Sequence, residues 1–128
     1  MMQRVHEISF RVYAEDTDMM GIMYHANYFR FYERARTEML RASGLSLTHM
    51  AAHNTQFAIR EATITFLSPA RLEDFLTIKT SCKKVRATSL AFYQEMWHMS
   101  SQKKLSDVQI HVVCVGSDLK PKRLPAEF

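Results

Sequence analysis

Only three glycines, three prolines, two cysteines and one tryptophan occur among the 128 residues. So few chain breakers leave no room for a flexible linker or a long disordered tail. The cysteines, Cys82 and Cys114, lack the CxxC spacing of a zinc or redox site. Both fall in strand-like segments and read as small buried hydrophobes, with no support for a disulfide. No apolar run approaches the length that spans a bilayer, and "MMQRVHEISF" has no apolar core of the signal-peptide kind. A cytoplasmic location is expected. Charge of one sign is also scarce. The formal net charge is +4, which suits an anionic small molecule as well as a nucleic acid. The basic residues are dispersed, without interleaved stacking aromatics, and this argues against a nucleic-acid reader.

What remains is an ordinary globular composition, 47% hydrophobic and 23% charged, enough for one domain over residues 1–128 with a real core. In "HEISFRV" (6–12), Ile8, Phe10 and Val12 alternate with Glu7, Ser9 and Arg11, the pattern of a half-buried strand. Residues 26–43 place Tyr28, Tyr32, Ala35 and Met39 on one helical stripe, widened by Phe31 and Ala42 and ended by Ser43-Gly44. A short helix is expected at 46–53. Strands follow at 56–67, 74–85, 88–99 and 105–116, where β-branched residues and alternation recur. In 88–99 apolar residues fall on both parities, which predicts that both faces are covered. Strand, long helix, then four strands with hairpin-length links predict an α+β fold, a largely antiparallel five-stranded sheet with the helix on one face. The tail "SDLKPKRLPAEF" reads as polar and proline-broken.

The chemistry gathers in "EDTDMMGIMYHANY", residues 15–28. Asp16, Asp18 and Gly21 match positions 1, 3 and 6 of a calcium loop, but Met20 and Asn27 stand where two further ligands are required, so that reading fails. His49 and His53 have i, i+4 spacing without the glutamate of a zinc hydrolase, and read as exposed helix histidines. No metal site is assigned. Gly21 permits a tight turn, and Asn27 or His25 is positioned to cap the long helix. Its first N–H groups would polarise a carbonyl placed there, as an oxyanion hole does, with Asp18 beside it. The competing reading makes Asp18 a turn residue that only satisfies local N–H groups. Spacing alone favours the turn, because turn aspartates far outnumber catalytic ones.

The segment resembles the active-site signature of hotdog-fold acyl-CoA thioesterases of the 4-hydroxybenzoyl-CoA thioesterase type, D-x-D-x-x-G-x-x-Y-x-x-x-Y, present as Asp16, Asp18, Gly21, Tyr24 and Tyr28. "YHANY", "FYERARTEML" and "SPARLED" are similar to the bacterial subfamily associated with the Tol–Pal cell-envelope system. The resemblance covers nearly the whole chain and implies a hotdog, a long helix wrapped by the sheet. It implies that Asp18 is the catalytic carboxylate, attacking the thioester carbonyl or activating water, with the first of these slightly favoured. It implies that the His25 backbone N–H polarises that carbonyl and that Tyr24 shapes the pocket, while Tyr28 and Tyr32 read as core. Coenzyme A would be part of the substrate, with no resident cofactor. Gly21 and the hairpin residues Lys84, Arg86 and Ser89 are candidates for binding it, with "LKPKRLP" a weaker one; the competing reading of the hairpin is a solvated basic turn that keeps an edge soluble. A homodimer assembling into a homotetramer is implied, with active sites between subunits. Short-chain aliphatic acyl groups are favoured, long-chain or aromatic ones stay open, and acyl carrier protein is the other candidate carrier. The rival readings are a non-catalytic acyl-CoA or acyl carrier protein binding module and a hotdog dehydratase.

Overall fold

The alternation read in the sequence becomes five strands wrapped on one long helix. The computed structural model describes residues 5–128; residues 1–4, on which part of the leader expectation rests, lie outside them. In chain order these are β1 (His6–Arg11), a 3-10 turn (Ala14–Asp16), α1 (His25–Ala42), α2 (Leu47–Ala52), β2 (Gln56–Phe66), β3 (Phe75–Arg86), β4 (Ser89–His98) and β5 (Lys103–Val115). The strands form one antiparallel sheet in the order β1-β3-β4-β5-β2. This is the arrangement expected of a hotdog. Among the described residues no helix is long and apolar enough to cross a membrane.

The core lies between α1 and the inner face of the sheet. Tyr28, Phe31, Tyr32, Ala35, Met39 and Leu40 meet Leu76, Ile78, Leu90, Phe92, Met96, Val108 and Ile110 there. Polar groups trapped in this seam find partners, as burial requires. The Tyr32 hydroxyl donates to Ser106 Oγ at 2.8 Å. The fully buried Gln94 donates to the Tyr32 carbonyl at 2.9 Å and to Thr80 Oγ1 at 3.0 Å, and accepts from Arg36 at 3.1 Å. α1 stops where Gly44, at φ +82°, lets the Leu45 N–H reach back to the Leu40 carbonyl at 2.8 Å. Cys82 and Cys114 are free and buried. Burial pushes the Cys82 thiol up to about 11, and raises Cys114 too.

Three expectations need correction. The link from β2 to β3 is a crossover rather than a hairpin, because β2 pairs with β5 at the far edge while β3 sits between β1 and β4. β4 buries Leu90, Phe92, Gln94 and Met96, but its other face is open in this chain, with Tyr93 exposed and Trp97 half-buried. The apolar residues of that parity lie among charges: Lys104 bridges Asp107 at 2.9 Å and Glu95 at 3.1 Å, and Lys79 sits over the Trp97 ring. Ala42 is exposed and Leu40 takes its place in the stripe, because the last turn of α1 rotates past the sheet. The polar, proline-broken tail is in addition docked, with Lys122 N–H on the Cys114 carbonyl, Leu124 N–H on the Ala87 carbonyl, and Phe128 edge-on to Phe57 at 5.7 Å.

Candidate active site

β1 runs off the sheet at Arg11, and the next 13 residues fold back before α1 begins at His25. Asp16 makes this possible. It is buried, and its two carboxylate oxygens are both used: Oδ2 accepts the Tyr13 N–H at 2.8 Å and Oδ1 accepts the Asn27 side-chain amide at 3.1 Å. The Asp16 carbonyl takes the Tyr24 N–H at 3.0 Å. One residue therefore ties the strand end to the first turn of α1, and a buried carboxylate with both oxygens bonded within the fold acts as a scaffold group. The cap differs from expectation. Tyr24 is the N-cap without a side-chain bond, Asn27 is spent on Asp16, and the His25 ring lies against Tyr24 at 4.4 Å. The backbone N–H groups of His25 and Ala26 have no partner among the described residues, so the positive end of α1 is open.

Between Asp16 and Tyr24 the chain makes a small hairpin in which Thr17 bridges Met23. Asp18 N–H donates to the Ile22 carbonyl at 3.0 Å and Gly21 N–H to the Asp18 carbonyl at 3.1 Å, with Gly21 at φ +75°. That left-handed backbone is natural to glycine. Asp18 Oδ1 accepts the Met20 N–H at 2.8 Å, as a turn aspartate does. The carboxylate is exposed, and Oδ2 has no partner among the described residues. Met19 and Met20, at the tip, are exposed as well.

A second segment, 68–74, supports the hairpin. Met23 N–H reaches the Ala70 carbonyl at 2.7 Å, Leu72 N–H reaches the Gly21 carbonyl at 3.1 Å, and Ile22 bridges Arg71. Tyr28 is core, as expected, but its phenol oxygen also accepts the Ala70 N–H at 3.0 Å. Burial raises the Tyr28 phenol above its ordinary value, the Ala70 bond opposes that, and the Asp74 charge adds to it. Phe66 stands edge-on to Tyr28 at 5.0 Å, which places the end of β2 beside this corner.

Asp18, Gly21, Tyr24 and His25 are thus brought into one short hairpin and helix start. Lys84, Arg86 and Ser89 are not among them. They lie at the β3–β4 hairpin, where Arg86 pairs with Ser89, at the far end of a strand of 12 residues. At roughly 3.3 Å per residue β3 itself runs about 35 Å from its Phe75 end, beside Arg11, to the basic hairpin. The docked tail brings Lys122 and Arg123 to the same end, beside Ala87. His49 and His53 share a face with rings 4.5 Å apart, and His53 Nδ1 is engaged with the His49 carbonyl. Among the described residues no three metal-ligating side chains cluster. Sequence reasoning missed the Asp16–Asn27 bond and the bracing role of residues 68–74. The first leaves no spacing rule to read, and the second was visible only as a recognisable string.

The thioesterase-like superfamily matches residues 12–128. The chain is 44% identical over 123 residues to the acyl-CoA thioester hydrolase YbgC of Escherichia coli, covering 92% of this chain and 91% of that protein. It is 35% identical over 119 residues to the acyl-CoA thioesterase YbgC of Haemophilus influenzae, covering 91% and 86%. Among solved structures, a probable thioesterase from Bartonella henselae superposes with a TM-score of 0.89 at 32% identity, over 95% of this chain and all 100% of that one. A 1,4-dihydroxy-2-naphthoyl-CoA thioesterase from Synechocystis, at 24% identity and TM-score 0.91 over 97% and 92%, shares the fold.

Proposed function

The chain belongs to the thioesterase-like superfamily, and on that premise we propose that it hydrolyses acyl-CoA thioesters to the free acid and coenzyme A. The observation that carries the reading is an exposed Asp18 carboxylate, anchored through Oδ1 alone, on the short hairpin that leads into the open N–H groups of His25 and Ala26. A thioester carbonyl seated on those N–H groups would gain stabilisation as its oxygen becomes negative. Asp18 Oδ2 then attacks the carbonyl carbon and coenzyme A leaves as the thiolate, giving a mixed anhydride that water hydrolyses. The alternative route has Asp18 take a proton from the attacking water. Tyr24, exposed beside His25, walls the site, and Gly21 sets the turn. Met19 and Met20 offer a pliable apolar surface for the acyl group, short-chain aliphatic groups being favoured.

The distance between the Asp18 end and the basic end calls for a second copy of the chain. β2 is an edge strand of 11 residues, largely exposed, with Ile59 and Phe66 at 58% and 48% accessibility. Such an edge invites pairing. Its Phe66 end lies at the Asp18 side of the sheet and its Gln56 end at the Arg86 side. A two-fold axis pairing β2 with itself antiparallel therefore sets the basic hairpin of one copy beside the Asp18 hairpin of the other. Lys84, Arg86 and Ser89 of one protomer then hold the phosphates of a coenzyme A cleaved at its partner's Asp18. Two such dimers meeting through the outward sheet face make the tetramer.

The test is thiol release from short-chain, long-chain and aromatic acyl-CoAs, and from acyl carrier protein thioesters, by wild type and Asp18→Asn. Turnover that disappears in the variant while coenzyme A binding persists supports the reading. Binding without turnover on every thioester would make the chain a binding module instead.

A further inference from the structure

The segment "SPARLED" is the brace on which the Asp18 hairpin is laid, through the Ala70, Arg71 and Leu72 contacts described above. What holds the brace is Asp74. Its Oδ2 accepts the Arg71 N–H at 2.8 Å, and its own N–H donates to the Arg71 carbonyl at 3.1 Å. This closes a turn that carries Glu73 at φ +70°, a conformation a non-glycine residue adopts only when its surroundings enforce it. Val12 clasps the other side, its N–H on the Asp74 carbonyl and its carbonyl on the Glu73 N–H, both at 2.9 Å.

Asp74 Oδ1 is held in turn by His98 Nε2 at 3.3 Å, with both side chains mostly shielded. The tautomer follows from the hydrogen bonds. His98 Nδ1 accepts the Ser101 backbone N–H at 3.2 Å and faces Ser101 Oγ at 2.6 Å. Nδ1 is therefore the unprotonated nitrogen, and Nε2 donates its proton to Asp74. A chain of bonds thus runs from the β4–β5 turn through His98 and Asp74 to the Arg71 backbone, and from there to Ile22, Gly21 and the Asp18 turn.

We propose that Asp74 is a positioning residue for thioester cleavage, with His98 orienting it: its carboxylate fixes residues 70–72, and these fix where Asp18 stands relative to the N-terminus of α1. This rests on the reading of Asp18 as the reacting carboxylate. Without Asp74 the Arg71 N–H loses its acceptor and the turn at Glu73 loses its lock, so the hairpin shifts as a unit. Misplacement of a reacting group by about an ångström costs up to ~100-fold in rate. A purely structural staple between β3 and β4 would instead lower stability and leave the rate of the folded enzyme alone.

The experiment measures kcat, KM and thermal unfolding for Asp74→Ala, Asp74→Asn, Asp18→Asn and the Asp18→Asn/Asp74→Ala pair, on the acyl-CoA that wild type cleaves fastest. Asp74→Ala should lose roughly 10- to 100-fold in kcat with KM within about 3-fold. Asp74→Asn keeps an acceptor for Arg71 and should fall between it and wild type. The residual rate of Asp18→Asn should not drop further when Asp74→Ala is added, because the two act on one step. If Asp74→Ala fails to fold, Asp74→Asn decides alone. Unchanged kcat in folded Asp74→Asn, or an additive loss in the pair, overturns the proposal while leaving the Asp18 reading intact. Wild-type turnover by Asp18→Asn instead removes that reading, and the positioning role with it.

Discussion

At the end of the sheet where β1 runs out toward α1, most polar groups are spoken for: Asp16 is filled by Tyr13 and Asn27, Asp74 by Arg71 and His98, and the Tyr28 phenol by Ala70. At the other end, where β3 turns into β4, Lys83, Lys84 and Arg86 stand exposed. The first end holds atoms in place at the cost of buried polar groups, which only a complete hydrogen-bond set makes tolerable. The second offers charge with little constraint, and exposed charges attract phosphate without fixing its position closely. Under the proposed function one end serves bond cleavage and the other capture, and the sheet keeps them apart in a single chain. The same contrast recurs within the motif: a single residue, Thr17, separates a buried Asp16 with both oxygens bonded from an exposed Asp18 with one oxygen unengaged.

Substitutions at the two ends should act differently. The largest effect is expected from Asp18→Asn, a fall in kcat of roughly 100- to 10,000-fold, with the unfolding midpoint unmoved because the turn bond to Met20 can be kept by the amide oxygen; steady-state thiol release together with a denaturant titration checks both halves. Asp16→Ala should do the reverse. It leaves the Tyr13 N–H and the Asn27 amide without an acceptor in a buried place, and should lower stability by about 2–3 kcal/mol in urea unfolding. Tyr28→Phe removes only the acceptor for the Ala70 N–H, and about 1–2 kcal/mol is expected by the same measurement. At the basic end, Lys84→Ala/Arg86→Ala should raise KM about 3- to 10-fold at low salt, less at high salt, with kcat and stability held. Smallest is the reactivity of Cys82. Its thiol, raised to about 11 by burial, stays protonated at pH 8 and should resist a thiol reagent until the chain unfolds.

How much of this could be read from residues alone follows from which interactions are periodic. The helix stripe Tyr28, Tyr32, Ala35 and Met39 and the alternation of the strands gave element boundaries within about two residues, because burial on one face writes itself into spacing. The crossover from β2 to β3 was illegible, since hairpin and crossover differ in which strand is a neighbour and not in the link's composition. Gly21 was legible as a turn residue, and its φ of +75° is why. The division of labour between Asp16 and Asp18 was not, because both are aspartates in one polar run and only burial and folded-state partners, the Tyr13 N–H and the Asn27 amide 11 residues away, tell them apart. Lys84 and Arg86 were legible as a basic turn, but their separation from Asp18 depends on the length and direction of β3.

The central claim, that cleavage and capture meet only when one chain's Asp18 lies beside another chain's basic hairpin, has a direct test. Lys84→Ala/Arg86→Ala protein is co-refolded with an excess of Asp18→Asn protein, and KM for the acyl-CoA is measured. The Asp18→Asn chains contribute intact cations and no cleavage of their own, so KM is expected to return to the wild-type value as mixed dimers form. A KM that stays raised in the mixture, with mixed dimers verified to be present, would contradict it.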